Sequence, residues 1–176
     1  MGGRGAAKDG AAALAGQGPV LDLRNYVPAL IAFVANKLSR SASALYRRQF
    51  GIGITEWRII ALLAIEPAIP AQRICQVIGF DKGPVSRSLA LMEQAGLVRS
   101  QPDPHDARRK LTSLTAAGHA LHDRIIQVAL ERERRLLSCL SAEERAQLIA
   151  MLNRLHEHLP EVNRPIAIPP GPPARR

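Results

Sequence analysis

Apolar positions in this chain recur mostly at helical spacing. Leu30, Val34, Leu38, Ala42 and Leu45 fall on one stripe, which predicts a long helix over about 25–50 that Gly51 and Gly53 end. Thr55 is then placed to cap a second helix, "EWRIIALLAIE", which stops before Pro67. Pro70 opens a short third helix, "PAQRICQVI", with Gly79 as a left-handed stop. Asp81 is a suitable N-cap for a fourth helix to about Ala95, ended by Gly96. Val85, Leu89 and Met92 form its apolar side, and Ser86, Arg87 and Ala90 point the other way. Two short extended pieces follow, "LVRSQ" and "KLTSL", joined by "PDPHDARR". Thr115 caps a long helix to about Leu137. Ser141 and Glu144 form a capping box for a last helix to Leu159, with Leu148, Met151 or Leu152, Leu155 and Leu159 on its stripe.

The order helix, helix, tight turn, helix, hairpin is that of a winged helix-turn-helix. The expected fold class is mainly α with a small β-hairpin wing, flanked by long N- and C-terminal helices. Residues 1–19 read as a flexible Gly/Ala-rich arm and 160–176 as a Pro-rich flexible tail. Between them the expected division is a dimerisation helix (20–53), the winged helix-turn-helix domain (54–114) and C-terminal helices completing the dimerisation region (115–159). The stripes on the terminal helices need a partner surface. A core of about 80 residues offers too little, so they predict a homodimer. Packing of the two helices within one chain is the alternative.

Composition sharpens this picture. The chain of 176 residues is 47% hydrophobic but only 3% aromatic, so its core must be built from Leu, Ile, Val and Ala. The net charge is +9; the two ends carry +1 and +2, which leaves +6 on residues 20–159. A folded body with that excess favours a polyanion. Cys75 and Cys139 are far apart and form no CxxC, so neither a disulfide framework nor a zinc ribbon follows. No apolar run is long enough to span a membrane, "AAALAG" is too weak for a signal peptide, and Ala6 breaks the myristoylation pattern. The expectation is a cytoplasmic protein with no membrane partner. No phosphate loop, nucleophile elbow or HExxH is present, so neither an enzyme nor a cofactor is expected. His119 and His122, beside Asp123, are too few for a metal site, and none is assigned.

The candidate chemistry lies in the fourth helix and the wing. Small and polar groups fill the first turns of "DKGPVSRSLA", the profile needed to enter a major groove about 12 Å wide. Arg87 can take guanine O6 and N7 or a phosphate. Ser86 can meet a base edge or phosphate, and Lys82 sits at the positive helix end. In the wing, Pro102 and Pro104 restrict the loop, and Arg108, Arg109 and Lys110 form a run suited to the narrow, negative minor groove. Asp106 either hydrogen-bonds local amides or pairs with Arg108 or Arg109 and aims the guanidinium. Tyr46 and Trp57 are candidates to line a ligand pocket, or are plain core residues.

"DPHDARRKLTSLTAAG" resembles the wing signature of the MarR (multiple antibiotic resistance regulator) family, roughly D-x-R-D-x-R, a strand, then L-T-x-x-G. The matching residues are Asp103, His105, Asp106, Arg108, Leu114, Thr115 and Gly118. "VSRSLALMEQAGLV" and "ITEWRIIALL" are similar to other parts of the family, and the resemblance covers about residues 25–159. It implies a dimeric transcription regulator that binds double-stranded, palindromic DNA through helix 81–95 and wing 102–110. It also implies a small lipophilic or phenolic ligand that releases the DNA. Two departures stand out. His105 replaces the family's arginine in the wing, and Pro84 lies in the first turn of the recognition helix. Two other function classes remain. One is a winged-helix protein-interaction module that does not bind DNA specifically. The other is a membrane-surface protein, for which no aromatic-plus-basic stripe is present.

Overall fold

A computed structural model describes residues 20–167. The expected arm over 1–19 and the tail residues 168–176 lie outside the described residues. The chain divides after Ile125 into two compact units.

The first unit opens with helix α1, Val27–Phe50, whose second helical residue is Pro28. Then come α2 (Ile54–Ile65), strand β1 (Ile69–Pro70), α3 (Ala71–Ile78) and α4 (Lys82–Gln94). Strands β2 (Val98–Asp103) and β3 (Asp106–Leu114) lead into α5 (Ala116–Leu136), within which the division falls. The stops read from glycines are present: Gly51, Gly79 and Gly96 take left-handed φ of 74°, 68° and 68°. At Gly96 this lets Leu97 N–H reach Met92 O and Gly96 N–H reach Glu93 O, so the end of α4 is closed by backbone alone.

The core is mainly aliphatic, with Tyr46 and Trp57 as its aromatic members. Ile59, Ile60 and Leu63 of α2, Ile74 of α3, Val85 and Met92 of α4, and Ile125 of α5 are fully buried. Val98 and Leu114 close it from the sheet side.

Three local expectations are corrected. The cap of α2 is not Thr55. Gly53 holds the N-cap position, and Glu56 reaches back so that Gly53 N–H donates to its Oε2 at 2.9 Å. The sheet has three strands, in the order β1-β3-β2, all antiparallel. β1 is only two residues long, with Ile69 opposite Thr112 and Pro70 opposite Leu111. The hairpin is also longer than read. Its strands reach Asp103 and Asp106, leaving a two-residue turn, Pro104 and His105. The cations of the wing therefore lie in β3 rather than in a loop.

The wing joins α5 through a tight contact. Thr115 Oγ1 donates to Gly96 O at 2.6 Å and accepts from Gly118 N–H at 3.1 Å, capping the helix as expected. Thr115 N–H bonds Leu97 O at 3.0 Å. A Cβ on the buried Gly118 would run into that same Leu97 carbonyl oxygen and crowd Leu114 Cδ2 at 3.1 Å. This is why threonine and glycine stand three apart here.

The second unit begins with the rest of α5, passes a 3-10 turn at Leu137–Cys139, and ends in α6, Ala142–Val162. The expected capping box is complete: Glu144 N–H donates to Ser141 Oγ at 3.2 Å, and Ser141 N–H donates to Glu144 Oε2 at 2.8 Å. Helix α6 runs through Pro160, past its expected end at Leu159. None of its described residues is buried, and Ile149, Leu152, Leu155 and Leu159 expose about half their surface.

Gly118→Ala is expected to cost about 1–3 kcal/mol, the range for overpacking, and to fall toward its upper end because the atom met is a backbone oxygen. Urea unfolding checks it: a midpoint lowered at unchanged slope is the expected outcome, and no change would show that the Leu97–Gly118 approach is loose.

Candidate nucleic-acid interface

The outward face of α4 is built as its sequence suggests. Lys82, Ser86 and Arg87 are all exposed, and Val85, Ser88 and Met92 turn inward. Gly83 leaves space beside Arg87: a Cβ there would lie 3.5 Å from Arg87 Nη1. Pro84 occupies the first turn, where a missing N–H costs nothing. Asp81 takes the N-cap position, but its side chain makes no capping hydrogen bond.

What holds this face outward is a buried polar contact that the sequence does not advertise. Ser88 is 6% exposed. Its hydroxyl donates to Glu56 Oε1 at 2.5 Å, while Oε2 of the same carboxylate takes the Gly53 N–H. Both oxygens of Glu56 are thus occupied, one by the start of α2 and one by the middle of α4.

In the wing, the ladder is regular from Val98 opposite Leu114 to Pro102 opposite Lys110, then slips to Asp103 opposite Asp106. Residues 107–109 have no opposite number on β2. Arg108 and Arg109 therefore sit in a bulge, a device that bends a strand and re-aims its side chains. Two short Asx contacts shape it: His105 N–H donates to Asp103 Oδ1 at 2.9 Å, and Arg108 N–H donates to Asp106 Oδ1 at 3.0 Å. Of the two roles open for Asp106, the structure contains the amide contact. No ion pair joins it to Arg108 or Arg109 among the described residues.

The cations of this surface differ in availability. Lys82, Arg87, Arg108, Arg109 and Lys110 are exposed and meet no carboxylate among the described residues. Arg73, on α3, is different. Its Nε and Nη2 each donate to Glu66 at 2.9 Å, and those hydrogen bonds lower the Glu66 carboxyl and raise the guanidinium. His105 stands exposed at the wing turn.

Tyr46 and Trp57 lie together in the core, with ring centroids 6.0 Å apart. Trp57 also stacks on His122 at 5.7 Å, and His122 Nδ1 lies 3.0 Å from Asp123 Oδ1. Neither Tyr46 nor Trp57 borders the open cavity of about 290 Å³ between Arg47, Ile52, Glu56, Leu91, Met92 and Leu97. No cluster of three or more potential metal ligands occurs among the described residues, and no described helix is long and apolar enough to cross a membrane.

Comparison with known proteins follows the same lines. The model of the MarR family matches residues 50–109. The regulator PecS of Dickeya dadantii is 35% identical over 115 residues, 65% of this chain and 67% of that protein. The crystal structure of a MarR/EmrR family transcriptional regulator from Acinetobacter sp. ADP1 is similar with a TM-score of 0.75 at 32% identity, over 80% of this chain and 99% of that one. A variant of Escherichia coli MarR in complex with operator DNA gives 0.64 at 26% identity, over 72% and 90%.

Glu56→Gln presents only one carbonyl oxygen to two donors and is expected to lower stability by about 1–2 kcal/mol. Ser88→Ala should cost less, because it removes donor and contact together. A double-mutant cycle by urea unfolding measures the coupling, and fully additive losses would show that the short contact contributes nothing of its own.

Proposed function

This chain belongs to the MarR family of transcriptional regulators, and from that membership we propose that it acts as a homodimer on a palindromic operator. In this reading, α4 of each subunit enters a major groove. Arg87 and Ser86 meet base edges or phosphate, and Lys82 meets phosphate at the helix start. The wing lies along the neighbouring minor groove, with Arg108 inserted and Arg109, Lys110 and His105 against the flanking backbone. Asp106 acts by holding the bulge through the Arg108 amide. The observation that carries the reading is the set of exposed cations on α4 and the bulged β3, none engaged by a described carboxylate. The complex of the Escherichia coli relative with operator DNA supports it.

Dimerisation is supported by two unpartnered apolar surfaces. On α1, Val27, Leu30, Ile31 and Val34 are 41–53% exposed, and on α6 the stripe from Ile149 to Leu159 is open. Surfaces of this kind on terminal helices call for a second chain. Release by a small lipophilic or phenolic ligand completes the reading, with the neighbourhood of Tyr46 and Trp57 as its place. The ligand would act by binding one dimer spacing better than the one that fits half-sites about 34–36 Å apart.

Light scattering across a dilution series is expected to return twice the chain mass; a monomer that still bound a palindrome tightly would remove the dimer from the mechanism.

Titration against a selected operator and a scrambled duplex at two salt concentrations separates the residue roles. Arg108→Ala should weaken both and reduce the salt slope by about one. Arg87→Ala should cost about 1–3 kcal/mol on the operator alone, relaxing one half-site position. Asparagine can keep the amide contact of Asp106 while shedding a negative charge, so Asp106→Asn should bind slightly tighter and Asp106→Ala more weakly. Salt-independent binding, or no preference for any duplex, would favour the protein-interaction module instead.

A further inference from the structure

The first turn of α4 is lightly tied by its own backbone. Asp81 caps nothing with its side chain, Pro84 has no N–H to give, and Val85 N–H reaches Asp81 O only at 3.4 Å. Ser88 is anchored to Glu56, but it lies a turn further on. Glu93, further along still, takes the Ser100 N–H of β2, and Val85 and Met92 pack in the core, but apolar packing is non-directional and neither hydrogen bond lies near the start of the helix. Its direction needs a second point nearer its start.

That second point is Phe80, the residue just before Asp81, and it is held by Arg58. Arg58 lies on α2, two residues beyond Glu56, and is half-buried. Its Nη2 donates to Ser39 Oγ of α1 at 3.0 Å. Its Cζ lies 5.2 Å from the centre of the Phe80 ring, within the range of a cation–π contact. One planar cation thus spans α1, α2 and the turn that launches α4.

We propose that Arg58 is a positioning residue for operator recognition, fixing the direction of α4 by holding Phe80 to α1 through Ser39. This rests on the DNA-binding reading above. Glu56 and Arg58 then grip α4 at Ser88 and just ahead of its start, and two points set a line. Lysine cannot replace the arginine here. Its ammonium is a point charge and cannot present a flat face to the ring while donating in plane to a hydroxyl.

The test uses the full chain, with Arg58→Lys, Phe80→Leu and the double variant. The probes are a duplex that the parent protein selects from random sequence, and a scrambled version. Arg58→Lys keeps the charge, so any loss is not electrostatic. Each single variant is expected to bind the selected duplex about tenfold more weakly, as coupled neighbours do, with scrambled binding and thermal midpoint nearly unchanged. The double variant should lose no more than the larger single loss. In the free protein, hydrogen exchange at the Phe80 and Val85 amides should quicken in both variants while the α2 amides of Ile59 and Leu63 stay protected. Parent-like binding by Arg58→Lys, equal loss on both duplexes, additive losses, or unchanged exchange would each overturn the proposal. If the parent selects no duplex, the DNA-binding reading itself fails, and exchange alone decides whether Arg58 holds the turn.

Discussion

The arrangement of α2 and α4 depends on one carboxylate with two obligations. Glu56 gives Oε2 to the Gly53 N–H at the start of α2 and Oε1 to a hydroxyl buried in the middle of α4. A helix start needs an acceptor for its free amides, and a buried serine needs an acceptor for its proton. Meeting both demands with one side chain ties the direction of α2 to the rotation of α4 about its axis. A different rotation would leave a buried hydroxyl unpaired, at a cost of about 1–3 kcal/mol. Burial of Val85 and Met92 favours the same rotation, so packing and hydrogen bonding agree. The outward direction of Arg87 is a consequence of what lies inward.

The wing is fixed by a different kind of constraint, one of volume. Leu97 O approaches Gly118 so closely that no side chain fits, and Thr115 spans from Gly96 O to Gly118 N–H across the same junction. The start of β2 and the start of α5 are thereby locked together, with the hairpin as the excursion between them. Its far end is shaped only by short local contacts from Asp103 and Asp106. A rigid root with a locally shaped tip suits a loop that must meet a surface it does not carry itself.

Much of this was legible in the sequence, because the signals are local. Helix ends at Gly51, Gly79 and Gly96 follow from backbone conformations that other residues resist, and the Ser141–Glu144 box is a reciprocal pair within four residues. The misreadings also have physical causes. Thr55 was a reasonable cap, but Glu56 can reach back to Gly53 and so starts the helix two residues earlier. Two prolines and two aspartates made 102–109 read as loop, although antiparallel pairing persists through Pro102 on an edge strand. β1 has only two residues, and its partners lie more than 40 positions away. Ser88 and Arg58 carry no pattern at all, since the residue that each contacts lies on another element. The exposed cations of the candidate site were legible in the sequence; the contacts behind them were not.

The three-stranded sheet leaves β1 and β2 as its edges, and each carries a proline, Pro70 and Pro102. An edge strand is normally an invitation: its free amides can pair with a strand of another molecule. A proline withdraws an amide from each border and narrows the row on which a foreign strand could start. At the outer border the register slip beside Pro102 twists the edge further out of line. Glu93 takes the Ser100 N–H at 3.1 Å on the same border, so both edges of the sheet are poor templates for a further strand.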